Sequence, residues 1–286
     1  LLPEIVAIFS AMGWAGDSIL VRLGLQKSNI VTAMFFSFFL SVILIGSYVL
    51  TFIPLDSFRS PAIAYFLVSG CLQPLIARAL YYEGITRVGV SRAGPLRGVE
   101  PLFAAVIAVT VLHERPGLPV FVGTVLIVTS LWLITGGSGG ERKWRLVDTA
   151  FPIGAALTSA ISQTLRKQGL NLLPDPFIAT LTVTLTSLVL FFAVIGFTHR
   201  VHLLRVNRSG LLLFVGAACT ATAAQVMNFI ALGRGDVAVI LPLLNTTPLF
   251  SVLFSSLFLK QFETVTARVI IGAAVMVVGV AIIATR

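Results

Sequence analysis

Charge is what this chain has least of. Only 11% of its 286 residues are Asp, Glu, Lys or Arg, where a soluble domain carries about 25%. With 57% hydrophobic residues and a mean hydropathy of +1.01, that scarcity excludes a water-facing surface over most of the molecule. Acids are rarer than bases, 11 against 20, for a formal charge of +9. The bases lie mainly between apolar runs and form no aromatic-interleaved patch, so they read as membrane flanks and exclude a nucleic-acid partner. Cysteine is nearly absent. Cys71 and Cys219 both fall inside apolar runs, say nothing about redox compartment and read as packed thiols. His113, His199 and His202 sit at segment ends with no metal-ligand spacing, so no metal or other cofactor is called for. No Gly-x-x-x-x-Gly-Lys-Ser/Thr loop occurs, which removes direct ATP drive. No nucleophile–base pair stands at an interface, which removes a membrane enzyme acting on lipid. The first apolar run has no basic leader or small-residue cleavage site and is interrupted by Asp17, so it reads as a span and not a signal peptide. The opening Leu-Leu-Pro, without Met, leads us to expect that a natural N-terminus is omitted.

What is present is a series of apolar runs. A spanning helix takes about 20 mostly apolar residues. Ten segments qualify: 3–23, 31–53, 61–84, 88–111, 117–136, 148–168, 175–197, 209–232, 236–259 and 265–284. Connections between them are short, as between antiparallel neighbours. The longest polar break is Gly136–Arg145, near the middle of the chain. The reading is an all-α polytopic membrane protein. Residues 1–136 form a first five-helix unit, 137–147 a linker and 148–286 a second five-helix unit.

The halves repeat each other. A shift of 147 lays Pro95 on Pro242, Pro101 on Pro248, Phe103 on Phe250 and Arg87 on Arg234. At a shift of 145, Arg22 meets Lys167 and Gly24 meets Gly169. Five spans per half is odd, so the second copy enters the membrane in the opposite sense. Inverted repeats with Pro/Gly-interrupted helices at matching positions are a transporter pattern with the site near the midplane. Pro95, Pro101, Pro242 and Pro248 are therefore candidate hinges in spans four and nine.

The chain resembles the EamA-type transporters of the drug/metabolite superfamily. The likeness rests on the doubled block L-x₁₄-P-x₅-P-L-F at Leu80–Phe103 and Met227–Phe250, the second copy opening with Met. It rests also on the charged turns Leu112–Arg115 and Leu259–Glu263, on Trp14, and on Arg166-Lys167. The resemblance covers essentially the whole chain. It implies ten transmembrane helices as two inverted five-helix repeats around a central cavity, alternating access, and small metabolites such as amino acids, commonly moved outward. It also implies both termini inside, whereas the bases in 141–145 and 199–208 argue for the opposite orientation. Arg92, Arg97 and Glu100 depart from plainer members, which carry small or apolar residues there.

Those three residues fall within an arc of about 140° if 88–111 is one helix. A charge at the bilayer centre costs roughly 2.5–3.5 kcal/mol, so charges on one face must meet water, substrate or one another. With Asp17 and Arg78 they predict a cationic half-cavity at one mouth. The counterparts in the second half are neutral: Ser159 for Trp14, Ser162 for Asp17, Gln225 for Arg78, Asn228 for Tyr81, Leu244 for Arg97 and Thr247 for Glu100. Ser159, Ser162, Gln163, Gln225, Asn228, Asn245 and Thr247 are then expected at the opposite mouth. In one reading Arg78 or Arg97 holds a substrate carboxylate or phosphate, and Asp17 or Glu100 binds an amine or a coupling proton. In the other, Arg97 and Glu100 neutralise each other and fix packing. Arg92 snorkels equally well. Trp14, Tyr81 and Tyr82 either flank substrate or sit in the aromatic belt. Glu114 reads as a solvated loop acid.

The function expected is a secondary active transporter, an exporter or exchanger, of a small anionic or zwitterionic metabolite such as an amino acid or organic acid. Proton coupling and proton-free exchange are both open. The alternatives are a flippase for a lipid-linked metabolite and a non-transporting membrane receptor. The partners are the small-molecule substrate and the lipid bilayer. A bacterial or archaeal cytoplasmic membrane is the expected location. Gly272 with Gly279, and Gly123 with Ser130, make small-residue faces that allow close packing within the chain or in a dimer; ten spans enclose a cavity alone, which favours a monomer.

Overall fold

The computed structural model describes residues 2–26, 28–88, 93, 96–135, 145–198, 204, 208–258 and 267–285. Among these no strand occurs. The α-helices are α1 Leu2–Leu25, α2 Ile30–Phe52, α3 Ala62–Gly70, α4 Ala77–Val88, α5 Glu100–Val111 and α6 Leu118–Thr135, then α7 Ala150–Leu172, α8 Pro176–Phe197, α9 Arg208–Arg234, α10 Val237–Leu244, α11 Thr247–Phe258 and α12 Ala267–Ala284. Local signals set several boundaries. Asn29 caps α2 through Thr32 N–H, and Asp175 caps α8 through Phe177 and Ile178 N–H with Pro176 opening the first turn.

Seven stretches among the described residues are long and apolar enough to cross a membrane. The three expected spans that do not qualify have physical reasons. In the segment at 88–111 the long helix among the described residues is Glu100–Val111, 12 residues, which is too short to qualify. The segment at 117–136 reaches just short of the length, as Leu118–Ile134. The segment at 148–168 is a full helix, α7, but a polar one: it buries Ser159, Ser162, Gln163, Thr164 and Arg166 against protein, so it does not need an apolar surface.

Among the described residues three of the spans are broken. Leu96 and Arg97 are helical, Gly98 and Val99 make a turn, and α5 starts at Glu100. Asn245 and Thr246 break α10 from α11 in the same way. The two breaks lie 147 residues apart, each between the paired prolines. Arg97 and Glu100 therefore flank a turn and do not share one continuous helical face; Arg92 and Pro95 lie outside the described residues. The third break was not expected. Between α3 and α4, Cys71–Ile76 forms a π-helical turn in which Gln73 is extended (φ −134, ψ 124) and Pro74 has no N–H to give. Its counterpart α9 runs unbroken.

Packing crosses between the halves. α1 lies on α9 and α11, while α7 lies on α3, α4 and α5. α2 pairs with α8, and α6 with α12. Exchanging the halves maps this set of contacts onto itself. One pair of contacts repeats in atomic detail. A Cβ on Gly24 would fall on the Phe214 ring, and a Cβ on Gly169 would fall on the Phe66 ring. The small-residue faces of α6 and α12 meet each other inside the chain: a Cβ on Gly123 would stand 2.7 Å from the Gly279 carbonyl oxygen.

One end of the bundle is sealed. Ala7, Phe66, Leu170, Ala179, Phe229 and the whole of α10 form its core, and every residue of α10 is buried. Two charged side chains bind the seal. Glu114 accepts from the N–H groups of Val237 (2.8 Å) and Ala238 (3.0 Å), donors in the first turn of α10 that have no partner within the helix. Lys167 Nζ donates to the carbonyls of Leu232 and Gly235, each at 2.9 Å, at the end of α9. Glu114 is thus a helix cap and not a solvated loop acid. His113, at φ 56 in the left-handed region, turns the chain that presents it.

Candidate functional site

Away from the seal the helices part around a cavity of about 1030 Å³. Its walls come from the second half of α1 (Trp14, Asp17, Ser18) and the first half of α2 (Ser37, Phe38, Ser41). α4 gives Arg78 and Tyr81, and the turn before α5 gives Arg97, Gly98 and Glu100. From the second half of the chain come Gln163 and Arg166 of α7, Thr184 and Ser187 of α8, Gln225 and Asn228 of α9, and Asn245, Thr247 and Pro248 at the α10–α11 break. The two groups expected at opposite mouths thus share one cavity. This follows from the breaks: both halves turn their interrupted spans toward the same space.

Arg97 stands between several groups. Its Nη2 donates to Ser159 Oγ at 2.9 Å and lies 3.6 Å from Glu100 Oε2. Its guanidinium carbon is 5.5 Å from the centroid of the Tyr81 ring, a cation–π distance. Glu100 is only 6% exposed and feels Arg166 as well as Arg97. Ser159 is fully buried behind Arg97 and not on the cavity wall.

Arg166 is the charged cavity residue that the sequence did not mark as part of the site; Ser37, Ser41, Gln73, Thr184 and Ser187 line the cavity unmarked as well. Arg166 is 3% exposed. Nε donates to Ser69 Oγ (2.8 Å), Nη1 to Gln163 Oε1 (3.3 Å) and Nη2 to the Gln73 carbonyl (3.4 Å). Its guanidinium carbon lies 5.3 Å from the Phe229 ring centroid. Ser69 in turn shares a 2.9 Å hydrogen bond with Ser162, which is therefore packing and not cavity wall. The break at Gln73 frees the carbonyl that Arg166 takes.

Several cavity atoms have no partner among the described protein groups: Asp17 Oδ1, Gln73 Oε1, Arg97 Nη1 and Asn228 Oδ1. Asp17 has Arg78 as its electrostatic neighbour. Asn245 and Thr247, by contrast, donate to the carbonyls of Leu241 and Leu244 in their own chain turn. Of the prolines, Pro248 lines the cavity, Pro242 is buried inside α10 and Pro101 is buried in the first turn of α5. The Tyr82 side chain lies outside the described set. Among the described residues no cluster of His, Cys, Asp or Glu could hold a metal ion.

Outside the spans, at the end away from the seal, Arg87 clips α4 to the start of α7. It binds Glu83 at 2.7 Å and Asp148 at 3.2 Å, and lies 4.2 Å from the Phe151 ring centroid. The Arg145 N–H, with the Arg87 guanidinium, holds the Asp148 carboxyl below the usual carboxylate range.

Comparisons with known proteins agree on the class. The model of the "EamA-like transporter family" matches residues 1–136 and again 149–285. An "uncharacterized transporter" of Archaeoglobus fulgidus is 22% identical over 295 residues, spanning 98% of this chain and 97% of that protein. A protein of known crystal structure has the same fold, with a TM-score of 0.78 at 14% identity over 98% of this chain and 95% of that one. Families of this kind are generally not enzymes. The chain belongs to the EamA-like transporter family and is an integral membrane transporter.

Proposed function

We propose that the protein is a secondary active transporter of a small polar metabolite, anionic or zwitterionic, working as an exporter or exchanger by alternating access. In this reading it spans the bilayer ten times. Residues 1–136 and 148–286 are inverted five-helix repeats joined by 137–147. What supports the repeat is the exchange of contacts between halves, down to the Gly24–Phe214 and Gly169–Phe66 pair. Among the expected spans that fail as lipid-facing helices, 88–111 and 148–168 bring charged side chains to the cavity, Arg97, Glu100 and Arg166.

The observation that carries the substrate class is the charge in that cavity. Arg78, Arg97 and Arg166 line it against Asp17 and Glu100. Ionised side chains in a membrane interior are costly and mark substrate or ion pathways. About 1030 Å³ is at the upper end of small-molecule pockets, roughly 300–1,000 Å³, and admits a hydrated metabolite. Guanidinium groups bind carboxylate and phosphate through paired N–H donors.

The seal supplies the other requirement of alternating access, a cavity closed at one end. α10 fills that end, held by Glu114 and Lys167. The breaks at Gly98–Val99 and Asn245–Thr246, with Pro101, Pro242 and Pro248 beside them, are the flexing points. The test is flux in proteoliposomes. Metabolites that raise the melting temperature of the purified protein are loaded as radiolabel on one side. Saturable, counter-ligand-stimulated flux is expected, and Arg97→Ala abolishes both stabilisation and flux. Saturable binding of those metabolites with no flux at any gradient refutes the reading.

A further inference from the structure

The three arginines that line the cavity among the described residues are not equivalent. Arg166 directs each of its three nitrogens at a protein acceptor: Ser69, Gln163 and the Gln73 carbonyl. Arg97 is divided. Nη2 serves Ser159 and Glu100, while Nη1 has no partner among the described residues. Arg78 makes no hydrogen bond to any described residue, and its electrostatic neighbour is Asp17. Tyr81 brings the last two arginines to one wall. Arg78 is three residues before Tyr81 on α4, so the two side chains lie on adjacent turns of one face. The Arg97 guanidinium rests 5.5 Å from the centroid of the same ring.

We infer that Arg78 and Arg97 form a two-arginine oxyanion station beside Tyr81, that Asp17 is its neighbouring acceptor for an ammonium group, and that the substrate is a small amine carrying two negative charges. This rests on the transport reading above and narrows it. One carboxylate balances the charge of one guanidinium and takes two of its five N–H donors; two arginines with donors to spare accommodate a second negative charge. Asp17 Oδ1, also without a described partner, asks for a donor. Among the described residues the cavity wall has three arginines against two carboxylates, so a ligand with two negative charges and one positive charge brings their total to zero. A neutral zwitterion leaves a guanidinium uncompensated, and a plain dianion leaves Asp17 so. Either leaves an uncompensated charge among the side chains that line the cavity. A phosphate monoester and a pair of carboxylates supply the same chemistry.

The experiment titrates five probes calorimetrically into the purified full-length protein: O-phosphoethanolamine, L-aspartate, L-alanine, inorganic phosphate and ethanolamine. At least one of the first two binds ten-fold or more tighter than the other three. Preference for phosphoethanolamine names a phosphate headgroup, and preference for aspartate names paired carboxylates. Arg78→Gln and Arg97→Gln each weaken that probe ten-fold or more and leave alanine within three-fold, removing the discrimination. Arg78→Lys, which keeps charge without the fork, recovers part of it. The wild-type ranking decides even if a variant fails to fold. Alanine, ethanolamine or phosphate binding as tightly as both dianionic amines overturns the inference while leaving transport intact. Silence from all five also overturns it, and the transport reading then stands or falls on flux with other metabolites.

Discussion

The broken first-half span α3–α4 and the continuous second-half helix α9 occupy matching places and do different work. Gln73 and Pro74 correspond, at a shift of 147, to Thr220 and Ala221. In α9 the ladder is unbroken, and Thr220 turns its hydroxyl back onto the Ala217 and Gly216 carbonyls. In α3–α4 the ladder opens and the Gln73 carbonyl leaves it for Arg166, on the opposite half of the chain. The same comparison holds for charge. α4 gives Arg78 and Tyr81 to the cavity, whereas α9 gives Gln225 and Asn228. The duplicated scaffold keeps its packing while the chemistry concentrates on one side. Arg166, the one buried arginine among the described residues of the second half, holds the first half's break.

The sharpest way to break this comparison is Arg166→Leu. It leaves Ser69, Gln163 and the Gln73 carbonyl without their donor and removes a buried countercharge from Glu100. Losing one member of a buried charge pair typically costs about 3–5 kcal/mol. We expect a loss of that order in detergent unfolding, against near-neutral behaviour for Thr220→Ala, whose hydroxyl only caps its own helix. Equal effects would show that the break is not what Arg166 supports.

The twin glycines give the next largest effect and compare like with like. Gly169→Ala and Gly24→Ala each place a Cβ on a buried phenylalanine ring, Phe66 and Phe214 respectively. Overpacking of this kind typically costs about 1–3 kcal/mol. Phe66 stands in the core of the sealed end and Phe214 does not. The Gly169 variant is therefore expected to lose more stability, and the reverse order would place the rigid core at the other end.

What was legible beforehand and what was not divides along physical lines. Asp17, Arg78, Arg97 and Glu100 stand out because a charge inside an apolar run has few uses. Arg166 is equally charged, but a segment ending near 168 put it at a helix end; α7 continues to Leu172, which moves Arg166 inward by about a turn. The paired prolines mark the breaks at spans four and nine. Pro74 has no proline opposite it at Ala221, so repetition says nothing about the third break. The serines of α2 show a different limit. Ser37 and Ser41 line the cavity, while Ser47 and Thr51, on an exposed face of the same helix, donate to the Leu44 and Ser47 carbonyls. A hydroxyl that can satisfy itself on its own helix carries no signal of which way it faces.

The seal provides a mid-sized test of how unlike the two ends are. Glu114→Gln keeps the shape but gives up the charge that meets two N–H groups of α10. A charged cap of this kind is worth roughly 0.5–2 kcal/mol. A loss of about 1 kcal/mol is expected, with faster hydrogen exchange confined to the first turn of α10. Exchange that rises equally at the α11 end would mean that the seal is not a local clip.

The smallest effect belongs to the exposed clip at the other end, and pH separates it from its counterpart. Arg87 holds Asp148, but Arg234, its match at a shift of 147, makes no hydrogen bond or ion pair with a described residue. The Asp148 carboxyl is held below its ordinary value by the Arg145 N–H and then by Arg87. A carboxyl with a lowered folded-state value stabilises the fold above its ordinary value, about 3.9, and loses that contribution as pH falls through the lowered one. Asp148→Asn should therefore melt slightly below the wild type at neutral pH, with the gap closing as the pH is taken below about 4. Arg234→Gln should show no gap at any pH. A gap that persists in acid would assign Asp148 to packing and leave Arg87 as unbound in effect as Arg234.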